Sequence, residues 1–117
     1  MKKVIAGVLI CLLVSTPVFG VTTTTLLSAV AATGASATKA VEDSPNKTVY
    51  IVASAVTSGA TFTVDASPDG TNWATLNTTT VTANGVTEIA IVGLLNKYIR
   101  VNLSARTDGT YTVYLVN

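Results

Sequence analysis

Alternation of apolar and polar residues with a period of two, repeated at short intervals, is what most confines this chain. In "ATFTVDAS", Phe62, Val64 and Ala66 point one way while Thr61, Thr63, Asp65 and Ser67 point the other. In "KYIRVNLS", Ile99, Val101 and Leu103 face a core, and Tyr98, Arg100, Asn102 and Ser104 face out. "TYTVYLVN" places Tyr111, Val113 and Leu115 inside, and "VTEIAIVG" does the same for Ile89 and Ile91 with Glu88 outside. Side chains alternate across a strand, so such runs read as half-buried strands. No stretch after residue 20 sustains a helical stripe.

Turn signals separate the runs: "DSPN" at 43–46, "SG" at 58–59, "PDG" at 68–70, "NG" at 84–85 and "DG" at 108–109. Seven or eight short strands at this spacing predict an all-β fold, a single antiparallel β-sandwich or jelly roll. "TVYIVASAV", residues 48–56, is apolar at both parities and predicts a central strand covered on two faces. Residues 21–41 are read as one or two edge strands, because threonines before "LLSAVAA" and Gly34 after it favour extended chain over helix.

The first twenty residues stand apart. Lys2 and Lys3 precede an unbroken apolar run from Val4 to Val14, then Ser15, Thr16 and Pro17, with Gly20 as a small residue before a cut. This is the layout of a signal peptide, too short in its apolar part to span a bilayer comfortably. The expected domains are therefore a leader at 1–20 and one β-sandwich domain at 21–117, with the mature protein extracytoplasmic: secreted, at the cell surface or in the periplasm. A retained N-terminal anchor is the alternative. Without the leader the chain has no cysteine and no histidine, so packing and ladder hydrogen bonds must stabilise it, not disulfides. Five basic residues against six acidic ones leave a net charge of −1. Nucleic acid, which needs a basic face, is excluded as a partner, and so is an anionic membrane surface after cleavage.

"SPDGTNW", residues 67–73, is the most specific stretch. Pro68 presets φ in a turn, Asp69 tolerates the third position and Gly70 accepts a left-handed conformation before the strands pair again. Trp73 and Leu76 are three residues apart, so strict alternation cannot put both on one face. Either a bulge resets the register or Trp73 faces out. An inward tryptophan is packing and an outward one is a ligand platform; with a single tryptophan, core packing is the expected use. Asp65, Ser67 and Asp69 before Gly70 also reproduce the opening of a calcium loop, with oxygen ligands at alternate positions. Its twelfth position is Leu76 and not the bidentate glutamate, so only half the motif is present, and the expected cofactor is none, with Ca²⁺ the one candidate.

Ser67, Asp69, Gly70 and Trp73, then "YIRV" (Tyr98 to Val101) and a closing strand, resemble the second half of a discoidin-type jelly roll. The stretch from "GATFTVDASPDGTNWATL" to the C-terminus is similar to small β-sandwich proteins of tailed phages known as virion structural proteins. The resemblance spans about residues 48–117. It implies a sandwich fold, a mainly structural turn and tryptophan, and a virion-associated or other non-catalytic role among protein subunits.

Catalysis has little to work with. General acid–base candidates reduce to six carboxylates, mostly in turns or on outward strand positions. The expected protein is a non-catalytic structural or adhesive one. Two alternatives remain open. One is a lectin-like module holding surface glycan through Tyr98, Arg100, Asn102 and Trp73, against which stands the reading of these as ordinary outward strand residues. The other is a homo-oligomer or filament subunit whose uncharged, β-prone "VTTTTLLSAV" pairs with a neighbour's sheet edge, against which stands an intramolecular edge strand.

Overall fold

Each alternating run becomes a strand, and the glycine-bearing dipeptides fall between them or, for Gly85, at a strand's first residue. The computed structural model describes residues 22–41, 45–93 and 97–117. The expected leader at 1–20 and the first half of the "DSPN" turn lie outside these residues. The strands are β1 (Thr23–Val30), β2 (Gly34–Ala35), β3 (Lys39–Ala40), β4 (Lys47–Ser54), β5 (Ala60–Ser67), β6 (Ala74–Val81), β7 (Gly85–Ile91), β8 (Tyr98–Arg106) and β9 (Thr110–Val116).

Two antiparallel sheets result, β1-β9-β4-β7 and β2-β8-β5-β6, with β3 also on β8. If β2 and β3 are counted as one interrupted strand, this is the eight-strand order of a jelly roll, as the turn spacing predicts. Among the described residues, β5 and β6 form the one hairpin of neighbours within a sheet; other long strands reach their successors by crossing between sheets.

The core is filled as the alternation requires. Val49 and Ile51 of β4, Phe62 and Val64 of β5, Ile99, Val101 and Leu103 of β8, and Tyr111, Val113 and Leu115 of β9 are all fully buried. Phe62 and Tyr111 meet edge to face across the two sheets, centroids 5.1 Å apart at 74°, the geometry that aromatic quadrupoles favour. One expectation needs correction. β4 is central, paired with β7 on one side and β9 on the other, but only one of its faces is covered. Val52 on the other face is 37% exposed. A two-layer sandwich has no third layer to cover it, so apolar residues at both parities here mark a central strand and not a doubly covered one. At the start of the same strand, Lys47 occupies a core-facing position at 2% exposure, and burial pushes its amine below the usual lysine range.

Four crossings gather at one end of the sandwich: residues 31–33, 55–59, 82–84 and 107–109. Asp108 clamps this end. Its Oδ1 accepts from the amides of Thr57 (3.1 Å), Ser58 (3.0 Å) and Gly59 (2.9 Å), binding the β8–β9 crossing to the β4–β5 crossing. Asn84 Oδ1 accepts from the Val56 amide at 2.9 Å and adds the β6–β7 crossing. Tyr111 donates its hydroxyl to the Asp108 carbonyl at 2.7 Å. Gly59 has φ +108, and a Cβ there would stand 1.9 Å from the Val81 carbonyl oxygen, so no other residue fits.

Two outcomes follow from this clamp. Gly59→Ala must move the Val81 backbone and adopt a strained φ, and its urea midpoint should fall by an amount equivalent to about 2–4 kcal/mol. The Gly59, Ser58 and Thr57 amides, in that order, hold the Asp108 carboxyl below the usual carboxylate range. A carboxyl with a depressed folded-state pKa contributes stability above its unfolded value, roughly pH 3.9, and loses it as pH falls through the folded value. Asp108→Asn should therefore be less stable than the parent at neutral pH and converge with it on acidification below that point, as read by denaturant melts across pH.

Candidate functional site

The "SPDGTNW" stretch folds as two interlocked side-chain turns. Ser67 Oγ accepts from the amides of Asp69 (3.2 Å) and Gly70 (2.8 Å). Asp69 Oδ1 then accepts from the amides of Thr71 and Asn72, both at 2.8 Å, while Ser67 Oγ donates to the same oxygen at 3.0 Å. Asn72 Nδ2 donates to Asp69 Oδ2 at 2.6 Å. Serine and aspartate side chains favour such local bonds. The Asn72 and Thr71 amides, the largest influences, and then the Asn72 side chain hold the Asp69 carboxyl far below the usual carboxylate range. Gly70 takes φ +81, as a turn of this kind demands. Asn72 is the member that the turn pattern alone did not single out.

Both resolutions of the tryptophan problem operate at once. The β5–β6 register runs Val64↔Asn77 and then Asp65↔Thr75, leaving Leu76 as an extra residue. The bulge lets Leu76 pack half-buried against the core, and Trp73 stays outside. Trp73 is half-buried on the outer face of the β2-β8-β5-β6 sheet and is absent from the core cluster. The expectation of core packing is thereby corrected: the register shift that brings Leu76 inward serves the core without the indole.

On that outer face Trp73 covers an ion pair. Arg100 stacks its guanidinium over the indole, 4.2 Å from the centroid, and donates from Nε to Asp65 Oδ2 at 3.2 Å. Thr75 Oγ1 donates to the other Asp65 oxygen at 3.0 Å. Asp65 is 5% exposed although it points away from the core, because Arg100 and Thr75 cover it. A buried carboxylate requires this kind of neutralising partner, and strand register supplies it, since Asp65 lies directly opposite Arg100. Thr75 was not visible as a partner in the sequence, because the bulge at Leu76 decides which β6 residue meets Asp65.

The remaining candidates lie along β8. Tyr98 pairs with Ser67 and Asn102 with Thr63, so Tyr98, Arg100 and Asn102 occupy successive outward rows. Tyr98 is half-buried beside the turn, with the Lys97 amine 5.7 Å from its ring centroid. Asn102 is half-buried two rows from Tyr98. The structure thus unites Trp73, Arg100 and Asp65, sets Tyr98 next to them and leaves Asn102 at the margin.

Calcium does not fit the donor set proposed for it. Asp65 faces a guanidinium and a hydroxyl, while Ser67 and Asp69 are saturated by the turn's own donors. An ion would have to displace a positive charge and dismantle the turn. Among the described residues no three His, Cys, Asp or Glu side chains gather as a metal cluster.

The N-terminal strand is paired within its own chain. β1 lies on β9, from Thr23↔Val116 to Val30↔Tyr111. No family model matches this sequence, and no curated protein matches it. The fold is shared with the crystal structure of the SPBc2 prophage-derived protein YomS, at TM-score 0.64 over 83% of this chain and 92% of that one, with 15% identity. At that identity the likeness is one of fold: a prophage-derived protein has the same all-β architecture.

Because Trp73 shields an ion pair and fills no core volume, Trp73→Ala should leave the β-sheet circular dichroism unchanged. Its stability loss should be about 1 kcal/mol by urea titration, against about 3–5 kcal/mol for truncating a core aromatic such as Phe62. A loss as large as that of Phe62→Ala would contradict the outer-face role.

Proposed function

We propose that this protein is a non-catalytic structural or adhesive subunit of phage origin, exported by its N-terminal leader and working among other protein subunits. The observation that carries the reading is the occupation of every described carboxylate by the scaffold itself. Asp65 holds Arg100 and Thr75, Asp69 and Asp108 hold turn amides, and Glu88 accepts the Tyr50 hydroxyl, which raises that phenol's pKa. A general acid or base needs a group free to exchange protons with a substrate, and these are committed to turns and strand pairs. The fold shared with a prophage-derived protein supports the phage origin, and the leader-like residues 1–20 support export. The finer likeness to discoidin-type modules belongs to the same reading: a sandwich that presents a surface instead of a catalytic cleft.

A second reading, glycan binding, draws on one specific observation. Trp73 lies on the outer face beside Arg100 and Tyr98, where an aromatic and a planar donor could meet a sugar ring. The ion pair with Asp65 neutralises Arg100, so the sugar class favoured is neutral.

Light scattering and negative-stain imaging of the purified protein separate the two. The subunit reading expects particles, filaments or defined oligomers at increasing concentration, and a silent glycan array. A protein that stays monomeric throughout and binds a defined glycan, with binding lost in Trp73→Ala, would overturn the first reading in favour of the second.

A further inference from the structure

β1 is attached to the sandwich differently from every other long strand. None of its residues is fully buried; Leu26, Leu27 and Val30 pack only half-buried against the core. Its register with β9 breaks twice, between Thr25 and Leu27 and again between Leu27 and Val30. At the second break Ala29 adopts φ 48, a left-handed conformation that costs a residue with a Cβ. The Ala29 amide leaves the backbone ladder and bonds Thr112 Oγ1 at 3.0 Å. Residues 31–33 must then carry the chain from the β9 sheet to Gly34 on the β8 sheet. Packed sheets lie about 10 Å apart, and the four steps from Val30 to Gly34 reach about 14 Å at full stretch. The crossing is short. At the same end, Asp108 and Asn84 clamp the other crossings; among the described residues no side chain caps 31–33.

A short, uncapped hinge ending in a strand that supplies little core is an arrangement open to exchange of an identical element between copies. We propose that β1 is an exchangeable strand and that its partner in the assembled state is β9 of a second copy of this chain. Exchange preserves the whole Thr23↔Val116 to Val30↔Tyr111 pairing, so the interface needs no new complementarity. The segment that would be exchanged, "TTTLLSAV", carries no charge, so nothing repels it from a neighbour's sheet. Because the interface is reciprocal or head-to-tail according to the angle of the opened hinge, the product is a closed dimer or an open chain of subunits. This inference rests on the structural-subunit reading and names its contact.

The test uses the full chain with Cys11→Ser, so that two introduced cysteines are the only thiols. Thr25→Cys and Tyr114→Cys stand opposite each other in the β1–β9 register, at a separation that a disulfide can bridge. After concentration and mild oxidation, exchange gives interchain bonds seen as dimer and ladder bands on a non-reducing gel. Intrachain bonds alone in particles that do form would overturn strand exchange and leave the subunit reading standing. Intrachain bonds with no particles at any concentration would overturn both.

Discussion

Tyr111 connects the interior of this sandwich to its ends. The ring lies fully buried against Phe62 of the opposite sheet, while the hydroxyl reaches the Asp108 carbonyl. The Asp108 carboxylate in turn holds the amides of the β4–β5 crossing. One chain of contacts therefore runs from the hydrophobic core through a phenol to two of the loops that stitch the sheets together. Burial pushes the Tyr111 phenol above its usual range, and the nearby Asp108 charge adds to this. The hydroxyl therefore stays protonated and able to donate. A jelly roll has few local hairpins, so its topology depends on crossings meeting at a fixed end. Here that requirement is met by one aromatic residue and one acid.

The same economy operates on the outer face, where the candidate residues hold one another. Asp65 sits near the C-terminal end of β5 on the side away from the core, where a carboxylate would normally be solvated. It is instead enclosed by Arg100, Thr75 and, through Arg100, by Trp73. The group forms a small second layer of cover over the β5–β6–β8 surface. Arg suits the position better than Lys would, because its planar head can stack on the indole while Nε still donates to the carboxylate. The hairpin turn and this cluster share the same strand ends, so Ser67 and Asp69 order the loop that delivers Trp73 to Arg100.

Strand identity, core membership and the position of the hairpin were legible in the sequence, because each depends on local alternation and on turn residues. Ile99, Val101, Leu103, Tyr111, Val113 and Leu115 point inward as their parity dictates. What alternation could not reveal were the register breaks. Leu76 slips out of the ladder and so decides the side on which Trp73 emerges. Leu26, Ser28 and Ala29 do the same in β1 and let Leu27 and Val30, three residues apart, both approach the core. Nor could the sequence pair Asp108 with amides some fifty positions earlier. Bulges and long-range caps are settled by tertiary packing, which no local pattern encodes. Low charge and abundant threonine spoke to surface chemistry, but equally to a lectin, a subunit or a plain exposed sheet.

The four sheet edges bear on how such a protein can assemble. β6 carries the Leu76 bulge, β2 and β3 are two-residue fragments, and β1 is bulged twice. β7 is regular, but Glu88 occupies its centre with its charge turned toward Tyr50. Two copies pairing symmetrically along β7 would bring like charges opposite each other, which destabilises a ladder. Bulged, broken and charged edges are the means by which sheet proteins discourage edge-to-edge growth. Simple lateral addition is therefore disfavoured at every side of this sandwich. Strand exchange avoids those barriers, because it reuses a ladder the fold already accommodates, with its bulges in register. Under the proposed exchange, a molecule that guards its edges and holds one terminal strand by an uncapped crossing would associate by trading that strand.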